Sequence, residues 1–62
     1  MRIDTYRNYK FIMFDQDGNA VERVGEVQFA VNNPTDGEIY LIQADNGYRY
    51  LVPKENILYR TI

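Results

Sequence analysis

The side chains that most enzymes use for nucleophilic and acid–base chemistry are missing from this 62-residue chain. It contains no His, no Cys and no Ser, so the common pairs of a nucleophile with a base cannot be assembled. Carboxylates, Lys and Tyr remain, but most of the carboxylates fall in predicted turns, where Asp caps its own backbone. The composition therefore predicts a protein that is not an enzyme and that uses no cofactor.

One segment has the spacing of a calcium-binding loop. In FIMFDQDGNAVERVGE, residues 11–26, oxygen-bearing side chains fall at the first, third, fifth and twelfth positions of an EF-hand-like loop. These weak candidate metal ligands are Asp15, Asp17, Asn19 and Glu26. The segment departs from that pattern at Ala20, where Gly normally makes the sharp turn. It also fits a type I turn between two strands, with Asp15 first and Gly18 fourth, so we expect a hairpin here and no metal site.

The charge balance and the absence of long apolar runs restrict the partners and the location. Seven Lys and Arg against nine Asp and Glu give a net charge of -2, with the signs interspersed. This balance disfavours nucleic acid as a partner. No run approaches the roughly 20 apolar residues that cross a bilayer, and the N-terminus lacks the pattern of a secretory signal. We expect a cytoplasmic protein that does not contact membranes, with one small domain over residues 1–62.

Turn signals at regular intervals predict an antiparallel meander. DQDGN, NNPTDG and ADNG separate short runs that are rich in Val, Ile, Tyr and Phe. The predicted strands cover residues 9–14, 20–31, 38–44, 48–52 and 57–60. Pro53 has no N–H for a ladder, so the fourth strand should end there, with a single 3₁₀ turn before the fifth. A flat sheet this small would expose an apolar face and two edges, so we expect an all-β, five-stranded barrel or a strongly curled sheet.

The second predicted strand changes phase at Gly25. Beyond it, Val27, Phe29 and Val31 alternate with other residues, which predicts that these three side chains share one buried face. Val24 has the opposite parity, and an interior Gly often marks a bulge or a sharp bend. We therefore expect this strand to bend at Gly25.

Five short strands, a bent second strand and the VPKEN turn before the last strand resemble the small SH3-like barrels, including the KOW-type modules. The resemblance covers residues 9–62 and rests on strand count and turn placement. KOW-type modules imply RNA or DNA binding, with aromatic rings stacked on bases and cations on phosphates. The residues that could play those parts are Arg49, Lys54, Arg60, Tyr48, Tyr50 and Tyr59.

Two registers are open for the hairpin between the third and fourth strands. A two-residue turn at Asn46 and Gly47 would place Leu41 opposite Val52. A three-residue turn with a bulge at Gly47 would instead collect five residues on one face: Tyr40, Ile42, Tyr48, Tyr50 and Val52. A one-residue slip exchanges the faces, and both registers leave at least three large apolar side chains on each face.

One small interior cannot bury both faces of that hairpin, and Tyr and Arg are common anchors of protein interfaces. We therefore expect a non-catalytic binding module that acts by protein–protein contact or by self-association through a Tyr-rich face. The candidate contact residues are Tyr40, Tyr48, Arg49, Tyr50, Leu51 and Tyr59. RNA or DNA binding is the alternative function.

Overall fold

The computed structural model describes residues 1–35 and 37–61. Its elements are β1 (Asn8–Phe14), β2 (Ala20–Asn33), β3 (Gly37–Ala44), β4 (Arg49–Pro53), a 3₁₀ turn (Lys54–Asn56) and β5 (Ile57–Arg60). Every strand begins and ends within two residues of its predicted position. Asp36, which belongs to the predicted NNPTDG turn, and Ile62 lie outside the described residues.

The five strands form one antiparallel sheet in the order β4-β3-β2-β1-β5. β1 pairs with both β2 and β5, which places the last strand beside the first, and β3 joins β2 to β4. Within the described residues no ladder connects the two edge strands, β4 and β5, so the sheet is open. The all-β prediction with a 3₁₀ turn before the last strand is confirmed, as a curled sheet rather than a closed barrel.

The core lies on the inner side of the curled sheet and draws on every strand. Its buried residues are Tyr9, Phe11, Val27, Tyr40, Ile42, Ala44, Val52 and Ile57. The rings of Phe11 on β1 and Tyr50 on β4 lie 6.2 Å apart between centroids. Because β1 and β4 are not neighbours in the sheet, this contact shows that side chains, and not a backbone ladder, draw the two halves of the sheet together.

The segment before β1 covers one end of the core. The hydroxyl of the buried Tyr9 accepts a hydrogen bond of 2.8 Å from the Asp4 backbone N–H, and Ile3 packs against the core. The Tyr6 backbone N–H donates to the Val27 carbonyl at 2.7 Å, which ties the segment to β2. These bonds satisfy polar groups that would otherwise lose water at the edge of the core.

Two hairpins close with the same turn, a type I turn followed by a Gly in the left-handed region. In the β3–β4 hairpin, the Gly47 N–H donates to the Ala44 carbonyl at 3.0 Å, and the Ala44 N–H donates to the Tyr48 carbonyl at 2.8 Å. Gly47 has φ of +89°, a conformation that costs an L side chain free energy. Tyr40 pairs with Val52 and Leu41 with Leu51, which is the three-residue register of the two left open by the sequence.

The bulge in β2 lies at Gln28 and not at Gly25. The register with β3 shifts between Val27 and Phe29, so Gln28 is the extra residue. Val27 faces the core, whereas Phe29 lies on the other side of the sheet with half of its surface exposed. The prediction that Val27, Phe29 and Val31 share a buried face is therefore wrong, because one inserted residue reverses the sidedness of everything after it.

Gly25 has a different role, which is to allow a close approach between β2 and β3. It keeps regular pairing with Tyr9 on one side and Ala44 on the other. A Cβ at this position would lie 2.5 Å from both the Gln43 carbonyl oxygen and Ile42 Cγ2. Since real Cβ atoms do not approach backbone oxygen that closely, only Gly fits without moving the strands apart.

We expect Gly25→Ala to lower the free energy of unfolding by about 1 to 3 kcal/mol, the usual cost of an overpacked core. The reason is that the clash involves a backbone oxygen, which cannot rotate away. Urea denaturation followed by circular dichroism measures the change. Gly47→Asn is the control, because Asn adopts positive φ readily and no atom lies within 4 Å of a Cβ there. Equal stability of wild type and Gly25→Ala would contradict the close packing described here.

Candidate functional site

The side of β2, β3 and β4 that faces away from the core carries three rows of directly paired residues. We call this side the outer face. Its polar row is Glu26, Gln43 and Arg49; its first apolar row is Phe29, Leu41 and Leu51; its second apolar row is Val31, Ile39 and Pro53. Each row takes its residues from β2, β3 and β4 in that order, so the three rows form one continuous grid.

The two apolar rows are substantially exposed to solvent. Leu51 has 66% of its surface exposed, Phe29 50% and Val31 43%. Their neighbours on β3, Ile39 and Leu41, are partly buried between them. Neighbouring strands lie about 4.8 Å apart, so each row spans roughly 10 Å from β2 to β4. A contiguous apolar surface of this kind is typical of a protein contact site.

Two features of the backbone leave the edges of the sheet open beside the apolar rows. β4 is an edge strand, and β1 pairs with β2 only as far as Glu26, so the part of β2 after the bulge extends past β1. Edges of this kind present backbone groups that another chain can pair with or cover. The apolar rows therefore lie where the sheet is narrowest and most accessible.

The polar row holds two opposite charges at its ends. Arg49 Nε donates to Gln43 Oε1 at 2.8 Å, and Gln28 Nε2 donates to Glu26 Oε1 at 3.0 Å. Among the described residues, neither Glu26 nor Arg49 belongs to an ion pair, although most other cations do. The row thus carries a negative end on β2 and a positive end on β4, separated by two strand spacings.

The six predicted contact residues do not form one surface. Some belong to the core, and the others lie in three separate parts of the molecule. Tyr40 is buried, with 5% of its surface exposed, and it belongs to the core. Tyr50 is partly buried and packs on Phe11. These two side chains therefore stabilise the fold and do not line an accessible surface.

The other four predicted contact residues are exposed but do not lie together. Arg49 and Leu51 lie on the outer face. Tyr48 is 69% exposed at the end of the β3–β4 hairpin, beside Tyr50, and Tyr59 is 54% exposed on β5 at the opposite edge of the sheet. Only Arg49 and Leu51 thus contribute to the grid.

Sequence reasoning missed Phe29 and Val31 as surface residues. Their alternation with Val27 is a normal signal for burial, and no Gly or Pro marks Gln28 as a bulge. One signal in the sequence did point to exposed apolar residues. The chain has more large apolar side chains than the core can hold, which contains eight buried residues in the described part of the chain.

The cations expected to bind nucleic acid are engaged separately. Lys54 Nζ lies 3.5 Å from Glu38 Oε2, Arg60 lies 3.9 Å from Asp4, and Arg49 is bound to Gln43. Each positive side chain has a polar or acidic partner on a different part of the molecule. The structure therefore does not gather them into one basic patch.

The four candidate metal ligands do not converge. Asp15 Oδ1 accepts hydrogen bonds of 2.9 Å from the backbone N–H groups of both Asp17 and Asn19, as expected for a type I hairpin turn. Glu26 lies six residues further along β2 than Ala20, a distance of about 20 Å at the usual strand rise. In residues 1–35 and 37–61 there is no group of three acidic side chains that could hold a metal ion.

Three interacting side chains lie near the start of β3, namely Tyr40, Glu38 and Lys54. The Tyr40 hydroxyl donates to Glu38 Oε2, which also faces the Lys54 ammonium. The hydrogen bond from Tyr40 and then the charge of Lys54 hold the pKa of Glu38 below its usual value. Burial, reinforced by the neighbouring carboxylate, raises the pKa of Tyr40 to about 12. The triplet connects the core to the 3₁₀ turn.

Comparison of the chain with protein-family models, with curated proteins and with solved structures found no match. In the described part of the chain no helix is long and apolar enough to cross a membrane. The geometry of the outer face is therefore the basis for the function proposed below.

The raised pKa of Tyr40 predicts a loss of stability at alkaline pH. An unfolded Tyr ionises near pH 10, whereas Tyr40 in the folded protein stays protonated until about pH 12. Its stabilising contribution is thus complete below pH 10 and is lost as the pH rises to 12, by about 2 to 3 kcal/mol at most. Urea denaturation across this range should show a smaller decline for Tyr40→Phe. Tyr48→Phe is the exposed control and should decline as the wild type does; identical slopes for all three proteins would contradict the assignment.

Calcium is expected to leave the β1–β2 hairpin unchanged. Asp15 Oδ1 is already saturated by two backbone donors, and Glu26 is too distant to complete a coordination shell. Titration of the ¹⁵N-labelled protein with calcium, followed by amide chemical shifts, tests this. Saturable shifts over residues 15–26 would show that the turn is an ion-binding loop.

Proposed function

We propose that this chain is a small, non-catalytic protein-contact module that self-associates through the outer face of β2, β3 and β4. The observation that carries the proposal is the exposed pair of apolar rows, with Phe29, Val31 and Leu51 largely open to water. Burying apolar surface contributes about 25 cal/mol per Å², and a chain this short has little other stabilisation to spare.

An interface of ordinary size would cover a substantial part of this small molecule. A specific interface of standard size covers about 800 Å² on each partner, which is roughly a fifth of the 4459 Å² that the chain exposes. The two apolar rows supply the centre of such an interface, and the polar row supplies one rim. The fraction of chains in the proposed dimer depends on protein concentration, as for any reversible association.

As part of this proposal we keep the resemblance to the small SH3-like barrels, which rests on five strands and on the single 3₁₀ turn before the last one. The proposed contact surface, however, is the outer face of the sheet and not an aromatic groove.

Nucleic-acid binding is the weaker alternative because the cations are dispersed and the net charge is negative. Phosphate contacts dominate nucleic-acid affinity and make it fall steeply with added salt. A contact centred on Phe29 and Leu51 would keep most of its strength in salt, because buried apolar surface supplies it.

We expect Phe29→Thr and Leu51→Thr each to weaken self-association about tenfold or more, while the fold is retained. Both side chains are exposed in the monomer, so their loss costs little stability, and Thr preserves the strand. A buried aliphatic or aromatic side chain at the centre of an interface contributes roughly 1.5 to 3 kcal/mol, which corresponds to a tenfold change or more. Sedimentation equilibrium over a wide range of protein concentration measures the dissociation constant.

Tyr48→Thr is the matched control for this experiment. Tyr48 is as exposed as Leu51 and lies at the start of the same hairpin arm, but it is outside the apolar rows. Its dissociation constant should equal that of the wild type. A wild-type protein that stays monomeric at every concentration would overturn the proposed function.

A further inference from the structure

We infer that two copies of this chain meet face to face about a twofold axis parallel to β3, with Glu26 of each copy opposite Arg49 of the other. The inference rests on the self-association proposed above and specifies its geometry. It follows from the register of the three rows and from the placement of two charges.

The rows are compatible with a twofold axis because each has its centre on β3. Rotation about an axis that runs above β3 and along it exchanges β2 with β4 and leaves every row at its own level. Phe29 then faces Leu51 of the second copy, and Val31 faces Pro53 of the second copy. Leu41 faces its own equivalent. Both apolar rows are therefore buried against apolar rows, as a self-complementary interface requires.

The same rotation brings opposite charges together at the rim. Glu26 and Arg49 occupy the two ends of the polar row and belong to no ion pair within the described residues of one copy. Across the axis, Glu26 of each copy faces Arg49 of the other copy, so a dimer gains two ion pairs. Charge complementarity of this kind determines which partner and which orientation are accepted.

The other twofold arrangement of two stacked sheets pairs fewer of the three rows. An axis that runs across the strands at the level of the central row would place Arg49 against Pro53 and Glu26 against Val31 of the second copy, which buries charges against apolar side chains without compensation. An axis placed between the two apolar rows would bury those rows against each other but leave Glu26 and Arg49 without partners in the second copy.

Charge reversal at both ends of the polar row tests the geometry. Glu26→Arg and Arg49→Glu, taken alone, each place like charges opposite one another twice per dimer. Each should raise the dissociation constant roughly tenfold or more, since like-charge contacts at an interface are costly. The double variant Glu26→Arg/Arg49→Glu restores both pairs and should return the constant to within about threefold of the wild type, given that central apolar contacts are unchanged.

Mixing the two single variants is the most direct test of the pairing between Glu26 and Arg49. In a mixed dimer, one chain carries two basic residues at these positions and the other carries two acidic residues, so every facing pair is attractive. Sedimentation and native mass spectrometry at low salt should therefore show mixed dimers under conditions where each variant alone is monomeric. Circular dichroism confirms that the exposed substitutions leave the fold intact.

The outcomes separate this inference from the proposed function. If Phe29→Thr and Leu51→Thr abolish a dimer that charge reversal and mixing do not affect, the outer face is the interface but the twofold geometry is wrong. If mixing produces no mixed dimers although each variant alone dissociates, the pairing of Glu26 with Arg49 is also wrong. A wild-type protein that stays monomeric would contradict both the twofold geometry and the proposed function.

Discussion

The period-two alternation of side chains along β2 is interrupted at Gln28, and this interruption separates the residues of the core from those of the outer face. Before the bulge, Val27 points into the core; after it, Phe29 and Val31 point outward. A single extra residue is sufficient because side chains alternate between faces with no intermediate position. β2 therefore belongs to the core in its first half and to an exposed surface in its second.

The small core accounts for the way the chain uses tyrosine. Tyr9 and Tyr40 bury their rings and satisfy their hydroxyl groups, one with the N-terminal segment and the other with Glu38. Tyr50 joins the two halves of the open sheet by packing on Phe11. Tyrosine suits these positions because its ring fills apolar space while its hydroxyl finds a polar partner near the surface. The rings of Tyr6, Tyr48 and Tyr59 are exposed, so three of the six tyrosines contribute to the packing of the fold and three lie at the surface.

The self-association proposed above uses an apolar grid that is already ordered within a single chain. The grid is supported from beneath by β3, the central strand of the three, whose alternate residues Tyr40, Ile42 and Ala44 are buried. Its side chains therefore stand on a rigid platform, and its two charges are held by Gln43 and Gln28. Prior ordering of an interface reduces the entropy lost on association. The self-association proposed above would therefore require little rearrangement of the grid.

The strand count, the strand positions to within two residues, the 3₁₀ turn after Pro53 and the all-β class could be predicted from the sequence. These features depend on local chemistry: Gly in left-handed turns, Pro without a donor, and β-branched and aromatic runs. The sequence did not determine the hairpin register, since Asn46 and Gly47 fit two turns of different length. It also did not reveal that Gly25 marks a close approach and that Gln28 marks the bulge. These points became visible in the folded chain, because the sidedness of a strand depends on which residues its neighbours present across the sheet, and that pairing is not a local property.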